Sequence, residues 1–348
     1  MKKSVSFCLM LVAIVALKAQ TVIPVSSEAL PLVYHLPATE LTFKIEVEKT
    51  TFQPGIFYLY SQRYLSTDQV ILEEKTNFRV LNVLMEPKTY PDLNRRYVVS
   101  AKGKSALNRI QVDEMGILTG INIPKDELKK EIRKEIFKDE RQIRSAASGI
   151  LPLTQEYMMA GSTAKLAEGA AKQIYMIRES RLNLLSGETE QMPQDGAALK
   201  EMLEGLDRLE KELTELFVGK VIVERSMHQV TYNPQSHETE EVLFRLSARR
   251  GFVDKEDLGG EPYFININAE KTKLADPDPK AKPQLPGLFT VLPALTNVKI
   301  TNGINELFSR KLFIPQLGIV ITYPESAFKS IQTKVLVDRN TGRLMSIE

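Results

Sequence analysis

The amino-acid sequence predicts an α+β fold, in which predominantly antiparallel β modules are separated by a long antiparallel helical hairpin. Three observations predict it. Apolar and polar residues alternate from 41 to 48, apolar residues recur at helical spacing between 162 and 219, and alternating runs return after 220. Alternation places successive side chains on opposite faces of a strand, whereas a three-and-four spacing keeps them on one face of a helix.

The first segment, residues 1–19, has the layout of a secretory signal peptide. Two lysines precede an apolar run from Val5 to Leu17, and Ala19 is a small residue suited to cleavage. The run has thirteen residues, which is too short to cross a bilayer core of about 30 Å as a helix. We therefore expect an exported protein, periplasmic, outer-membrane-associated or secreted, whose mature chain has no transmembrane span.

Removal of this leader changes the charge of the chain. The full chain has 46 basic and 44 acidic residues, and the leader holds three of the lysines and no acidic residue, leaving 43 basic and 44 acidic. A near-neutral protein lacks the basic surface that attracts nucleic acid, which excludes that class of partner. The leader also contains Cys8, the only cysteine. Disulfides and thiol catalysis are therefore excluded from the mature chain.

Residues 20–123 are predicted to form an N-terminal β-rich module. Its clearest strand buries Leu41, Phe43, Ile45 and Val47 and exposes Thr42, Lys44, Glu46 and Glu48. The run QPGIFYLYSQRYL follows as a short helix. Two further strands are expected at Thr76–Met85 and Arg96–Ala101, and a hairpin that turns at Asp113–Gly116.

Residues 124–161 are predicted to be a charged connector. Fourteen of the 21 residues from 124 to 144 are charged, eight basic and six acidic. Such a mixed run is typical of a solvated helix or a mobile linker.

Residues 162–219 carry the spacing of the helical hairpin. Ser186 and Gly187 are suited to end its first helix, and Asp195 to cap its second. If the loop centres near Gln191, Arg181 faces Glu201 in the antiparallel partner. The same register makes Arg178 face Glu204, so these two ion pairs are predicted near the loop.

Residues 220–348 are predicted to form a C-terminal β-rich module. Its clearest strands are KVIVERSMHQVTY, TEEVLFRLS and EPYFININ, with TYNPQSH as the turn of a hairpin between the first two. Shorter runs follow near Val298, Leu312, Val320 and Val335. The closing hairpin, KVLVDRNTGRLMSI, aligns with NRIQVDEMGILTGIN. Duplication explains that likeness, and so does the preference of any such turn for Asp and Gly.

Few residues suggest chemistry. His228 and His237 lie near several glutamates, which suits either a metal site or two exposed histidines beside a turn. No nucleophile elbow and no dinucleotide fingerprint occurs. The sequence therefore predicts no catalytic residue, no cofactor and no metal ligand.

One aromatic run is a candidate interaction surface, formed by Phe57, Tyr58, Tyr60 and Tyr64. Such a set stacks on sugars in some proteins and more often packs a short helix onto a sheet. Both interpretations remain open at the level of sequence.

Three stretches together resemble a known family. They are MAGSTAKLAEGAAKQIYMIRESRLNLLSGE, DGAALKEMLEGLDRLEKELTELFVGK and EVEKTTFQPGIFYLYSQRYL. They are similar to an uncharacterised exported family of Gram-negative gut-type bacteria, catalogued as a domain of unknown function. The resemblance implies a shared architecture and export, and it supplies no catalytic residue, ligand or cofactor.

Taken together, these features predict a non-enzymatic binding or assembly protein of the cell envelope, with another envelope protein or a glycan as its partner. One alternative is an exported hydrolase whose carboxylates are brought together by the fold. The other is a glycan-binding protein that uses the aromatic run. The oligomeric state is left open.

Overall fold

A computed structural model describes residues 32–99, 105–124, 153, 155, 159, 161–188, 195–271 and 285–348. The predicted signal peptide, the prolines around 275–284 and most of the charged connector lie outside these residues. The described chain is mostly antiparallel β-structure with three α-helices. None of the helices in the described chain is long and apolar enough to cross a membrane.

The elements follow one another along the chain with these bounds. The strands are β1 (Leu32–Gln53), β2 (Lys75–Val99), β3 (Ile110–Val112), β4 (Leu118–Ile121), β5 (Lys220–Tyr232), β6 (Glu238–Ser247), β7 (Gly251–Val253), β8 (Glu261–Ala269), β9 (Pro286–Thr301), β10 (Glu306–Pro324), β11 (Val335–Val337) and β12 (Leu344–Ile347). The α-helices are α1 (Ser61–Leu65), α2 (Thr163–Ser186) and α3 (Gly196–Val218).

The strands form three sheets. The first has the order β2-β1-β5, the second β10-β9-β8-β6-β7, and the third β12-β11-β4-β3. Strands from before and after the helices share the first and third sheets, since β1 pairs with β5 and β4 pairs with β11. The two β-rich segments are therefore separate in sequence and intermixed in space.

The predicted face of β1 is confirmed as the centre of the largest core. Leu41, Phe43 and Ile45 are fully buried, and they meet the apolar face of the second sheet, including Phe244 and Ile265. This arrangement is a two-layer sandwich, because each sheet buries one face against the other. A second core lies under the third sheet, and a third lies between the helices and the segment after β1.

Two predicted boundaries between strands are wrong. β2 is one strand of 25 residues, although the sequence predicts two. It includes Pro87 and Pro91, which are tolerated because β2 lies at a sheet edge and its outward N–H groups need no partner. The runs predicted near Leu312 and Val320 likewise join into one strand, β10, whose pairing with β9 is irregular at three places.

The predicted hairpin between β5 and β6 is also wrong. β5 pairs with β1 in the first sheet, whereas β6 pairs with β7 and β8 in the second. The segment TYNPQSH therefore carries the chain from one layer of the sandwich to the other. A turn sequence specifies a change of direction, and it does not specify which strand is the partner.

The two similar hairpins, β3–β4 and the closing hairpin β11–β12, are confirmed, and they lie side by side in one sheet. Their turns use equivalent aspartates. Asp113 accepts the backbone N–H groups of Met115 and Ile117, and Asp338 accepts that of Asn340. Both side chains thus stabilise a tight turn, as the sequence indicates.

The predicted ends of the two long helices are confirmed. Ser162 and Asp195 cap the N-termini of α2 and α3, and Gly187 ends α2 with a φ of 75°. A left-handed residue at this position suits glycine, which has no Cβ to clash.

The partners of the two arginines differ from those predicted. Arg178 binds Glu210 instead of Glu204, with 2.6 Å between nitrogen and oxygen. Arg181 binds Asp207 at 2.6 Å and Glu210 at 2.8 Å instead of Glu201.

Packing between α2 and α3 explains why the two arginines have other partners than those predicted. Buried alanines of α2 share one cluster with large side chains of α3. Its members include Ala167, Ala170, Ala171, Leu213 and Phe217. The fit of small against large side chains sets the register of two helices, and the centre of the connecting segment does not.

Candidate functional site

The aromatic run is divided between core and surface. Phe57 is fully buried, with its ring centroid 5.4 Å from that of Phe217 in α3. Tyr60 and Tyr64 pack partly against the same cluster, and the Tyr175 hydroxyl donates to the Tyr64 carbonyl at 2.8 Å. Tyr58 is half-buried. These contacts anchor the helices to the segment after β1, and they leave no continuous aromatic stripe.

The histidines are separated in their roles. His228 lies on β5, and its ring stacks on Phe252 with 4.3 Å between centroids. Ser226 Oγ lies 2.9 Å from His228 Nε2. His237 follows β5, and its carbonyl accepts the N–H of Ala269. Within the described ranges, no group of three or more His, Cys, Asp or Glu side chains could hold a metal ion.

The feature that the sequence did not reveal is an open sheet edge. The three sheets have six edge strands, and five carry a device that discourages pairing with another chain. β3, β7 and β12 have only three or four residues each. β2 contains two prolines and two irregularities of register, and β10 contains Pro315 and three irregularities.

β5 is the exception among the edges that the described residues form. It has thirteen residues, contains no proline, and pairs with β1 without any irregularity of register. We call its unpaired side, from Lys220 to Tyr232, the β5 edge. Backbone N–H and C=O groups along such an edge are a template for a further strand.

Apolar side chains accompany the β5 edge. Val221, Ile222, Val223 and Met227 are 54%, 38%, 49% and 56% exposed. Because side chains alternate along a strand, Val221, Val223 and Met227 lie on one face of the first sheet and Ile222 lies on the other, core-side face. The sequence did offer a signal, since a long run without Gly or Pro and with three consecutive branched apolar residues favours a regular strand.

A buried carboxylate holds β5 against the centre of its sheet. Glu48 of β1 was predicted to be exposed, and it is only 4% exposed. Arg79 of β2 binds one of its oxygens at 2.6 Å, and Arg225 of β5 binds the other at 3.3 Å. Burial by itself would raise the pKa of Glu48, but the hydrogen bonds and charges of the two arginines outweigh it and hold that pKa below its usual value.

This carboxylate gives the protein a defined acid sensitivity. Because the pKa of Glu48 is lowered in the folded state, its stabilising effect is present above the pKa of the unfolded chain, about 4.3. The effect is lost as the pH falls through the folded value. We expect Glu48→Gln to lower the melting temperature at pH 7 and to flatten its fall on acidification, measured by thermal denaturation between pH 7 and pH 3.

The control for this measurement is Glu46→Gln, on the same strand and on a partly exposed side chain. It should melt like the parent protein at every pH. An equal acid sensitivity of the parent and Glu48→Gln would contradict the role given to Glu48.

A cleft of about 360 Å³ lies beside the C-terminal half of the β5 edge. One wall is residues 229–232 of β5, and the others come from β6, β7 and the turn after β7. The lining is Gln229, Val230, Thr231, Tyr232, Glu241, Val242, Leu243, Phe244, Phe252, Asp254 and Lys255. The lining mixes apolar side chains with polar and charged ones, so the cleft offers both kinds of contact to a side chain of an extended polypeptide.

Phe252 and Phe244, which line the cleft, belong to a series of four stacked rings. His228, Phe252, Phe244 and Tyr263 follow one another with centroid separations of 4.3, 5.1 and 4.6 Å. Burial lowers the pKa of His228, so its imidazole is neutral at neutral pH. A neutral ring stacks without the cost of burying a charge.

Comparison with known proteins places the chain in a family. The profile of a domain of unknown function, DUF4831, matches residues 31–345. The chain belongs to this family. The match runs from β1 into β12, so the family includes all three sheets and both long helices. The predicted resemblance is therefore confirmed as membership of a family whose function is unknown. No curated protein and no solved structure matches the chain.

Proposed function

We propose that this protein is an exported, non-enzymatic binding or assembly protein of the cell envelope, which takes up an extended polypeptide at the β5 edge. The observation that carries the proposal is the contrast between edges. Among the six edges of the described sheets, only the β5 edge is long, regular and without proline.

Strand addition suits this geometry. An added strand gains main-chain hydrogen bonds along thirteen residues, and its alternate side chains meet the faces of the first sheet. The cleft beside residues 229–232 accepts side chains at one end of the added strand. Main-chain pairing contributes affinity, and the cleft contributes the choice of partner.

Export is part of the same proposal. Its support is the leader at residues 1–19, with its basic start, short apolar run and Ala19. The expected location is periplasmic, outer-membrane-associated or secreted. Fractionation and N-terminal sequencing of the mature protein test this part, and an N-terminus after Ala19 is the expected result.

The two long helices complete the proposed architecture as one antiparallel hairpin. The ion pairs of Arg178 with Glu210 and of Arg181 with Asp207 support this arrangement. The hairpin packs on the buried Phe57, and its second helix ends at Val218, two residues before β5 begins.

The two alternatives have less support. A hydrolase could use the neutral imidazole of His228 to accept a proton from Ser226 Oγ, 2.9 Å away. However, none of the described carboxylates hydrogen-bonds the other nitrogen of that ring, so the third member of a triad is lacking. A glycan platform needs exposed rings, and Phe57 is buried.

Site-specific crosslinking in the producing cell tests the proposal. A photoreactive amino acid at Val223 should yield adducts of higher mass, because this side chain lies on the β5 edge. The matched control is the same amino acid at Val98, an exposed valine on the opposite edge strand, β2. Equal labelling at both positions, or no adduct at Val223, would count against the β5 edge as the binding surface.

A further inference from the structure

We infer that the partner at the β5 edge is a second copy of this chain, whose β5 pairs antiparallel with its counterpart about a two-fold axis at Ser226. This inference rests on the proposed function and names the occupant of that site. It requires that the strand be complementary to itself, and three features of β5 meet this requirement.

The first feature is length. In a two-fold antiparallel pair, the central residue faces its own copy, and residues at equal distances on either side face one another. Ser226 is the midpoint of Lys220–Tyr232. Only this centre pairs all thirteen residues, and moving it by one position leaves two residues of each strand without a partner.

The second feature is charge. With Ser226 at the centre, Arg225 faces Met227 of the second copy, and Glu224 faces His228. Centring the pair on Glu224 or Arg225 would instead place two like charges directly opposite each other, which is destabilising. The central residue itself is small, uncharged and exposed, so two copies can approach closely there.

The third feature is the cleft. Residues 229–232 form one of its walls, and in this register they face residues 220–223 of the second copy. Ile222 of that copy lies opposite Val230, beside the apolar wall formed by Leu243, Phe244 and Phe252. Ile222 of one chain therefore enters the cleft of the other, and the two-fold axis repeats the contact.

The rim of the cleft matches the end of the incoming strand. Lys220 of the second copy lies opposite Tyr232, where Glu241 and Asp254 line the cleft together with Lys255. Two carboxylates against one ammonium give a net attraction for that lysine. The exposed Ile222 and the cleft thus have one common explanation.

A disulfide at the axis tests the inference. The full chain with Cys8→Ser is given a single new cysteine, either Ser226→Cys or Met227→Cys, and is oxidised mildly. Directly opposed residues have Cα atoms about 4.5–5.5 Å apart, within the range of roughly 4.4–6.8 Å that a disulfide spans. Diagonal neighbours are about 7–8 Å apart. We expect a covalent dimer from Ser226→Cys and not from Met227→Cys.

Sedimentation of the purified chain provides the second measurement. The parent protein and Val98→Lys should sediment as dimers, and Ile222→Lys should sediment as a monomer. Circular dichroism must show that Ile222→Lys keeps the parent melting temperature, so that dissociation is distinguished from unfolding.

The outcomes separate the inference from the proposed function. A disulfide from Met227→Cys but not from Ser226→Cys overturns the register. A monomeric parent that gives adducts with another protein at Val223 overturns the second copy and leaves strand addition in place. A monomeric parent with no adduct at Val223 overturns both.

Discussion

Replacing Phe57 with alanine is expected to destabilise the protein by about 3–5 kcal/mol, the usual cost of removing a buried phenylalanine ring. The ring is fully buried against Phe217, in the cluster where α2 and α3 meet the segment after β1. Its removal leaves a cavity that backbone contacts hold open, because the Phe57 N–H donates to the Leu216 carbonyl at 2.7 Å. Chemical denaturation monitored by circular dichroism measures the loss.

The matched control is Tyr58→Ala, at the half-buried neighbour outside this cluster. Its effect should be a small fraction of that of Phe57→Ala. Comparable losses for the two variants would mean that the aromatic run is not divided between core and surface. Binding of soluble glycans by the parent, abolished by Tyr58→Ala alone, would instead favour the glycan alternative.

Replacing Gly120 with alanine is expected to cost about 1–3 kcal/mol or more through overpacking. A Cβ at this position would lie 2.3 Å from the Val335 carbonyl oxygen and 2.8 Å from Ile123 Cγ1. The carbonyl belongs to β11, so the strand cannot move away without breaking the pairing that joins the two hairpins. The free energy of unfolding should fall, and the third sheet should lose protection from hydrogen exchange first.

Gly205→Ala is the opposing control. Gly205 lies within α3, and nothing lies within 4 Å of a Cβ built there. Alanine should stabilise the protein by roughly 0.5–1 kcal/mol, because glycine loses more backbone freedom in a helix. The two substitutions add the same methyl group with opposite expected signs. Destabilisation by both would show that the close approach at Gly120 is not the cause.

Local elements follow from the sequence because their determinants are local. The alternation of Leu41, Phe43 and Ile45 predicts a strand with one buried face, and that face is buried. Asp195 and Gly187 mark helix ends, since capping depends on a few adjacent residues. The hairpins β3–β4 and β11–β12 are predicted for the same reason, because their turns depend on adjacent Asp and Gly residues.

Long-range partners do not follow from the same patterns. Glu48 was assigned to an exposed face, and only pairing with β2 and β5 brings Arg79 and Arg225 across it. The partners of Arg178 and Arg181 depend on how Ala170 packs near Phe217, which no single helix specifies. Each of these contacts joins residues that are distant in sequence.

The family match assigns no activity. The β5 edge is the strongest functional feature of the residues that the structure describes. Self-pairing there would place two sandwiches side by side with one continuous first sheet. Such an assembly pairs the open backbone groups of β5 and protects the edge from other chains, which addresses the liability that an open strand presents.

Local patterns along the chain are enough to predict the α+β composition, the faces and ends of most elements, the absence of thiols after Cys8, and an expected route of export. The tertiary structure alone decided which strands are neighbours, that the two β-rich segments share sheets, and that β5 is an edge. The physical reason is that periodicity and capping act over a few residues. Edges and clefts exist only when segments distant in sequence pack together.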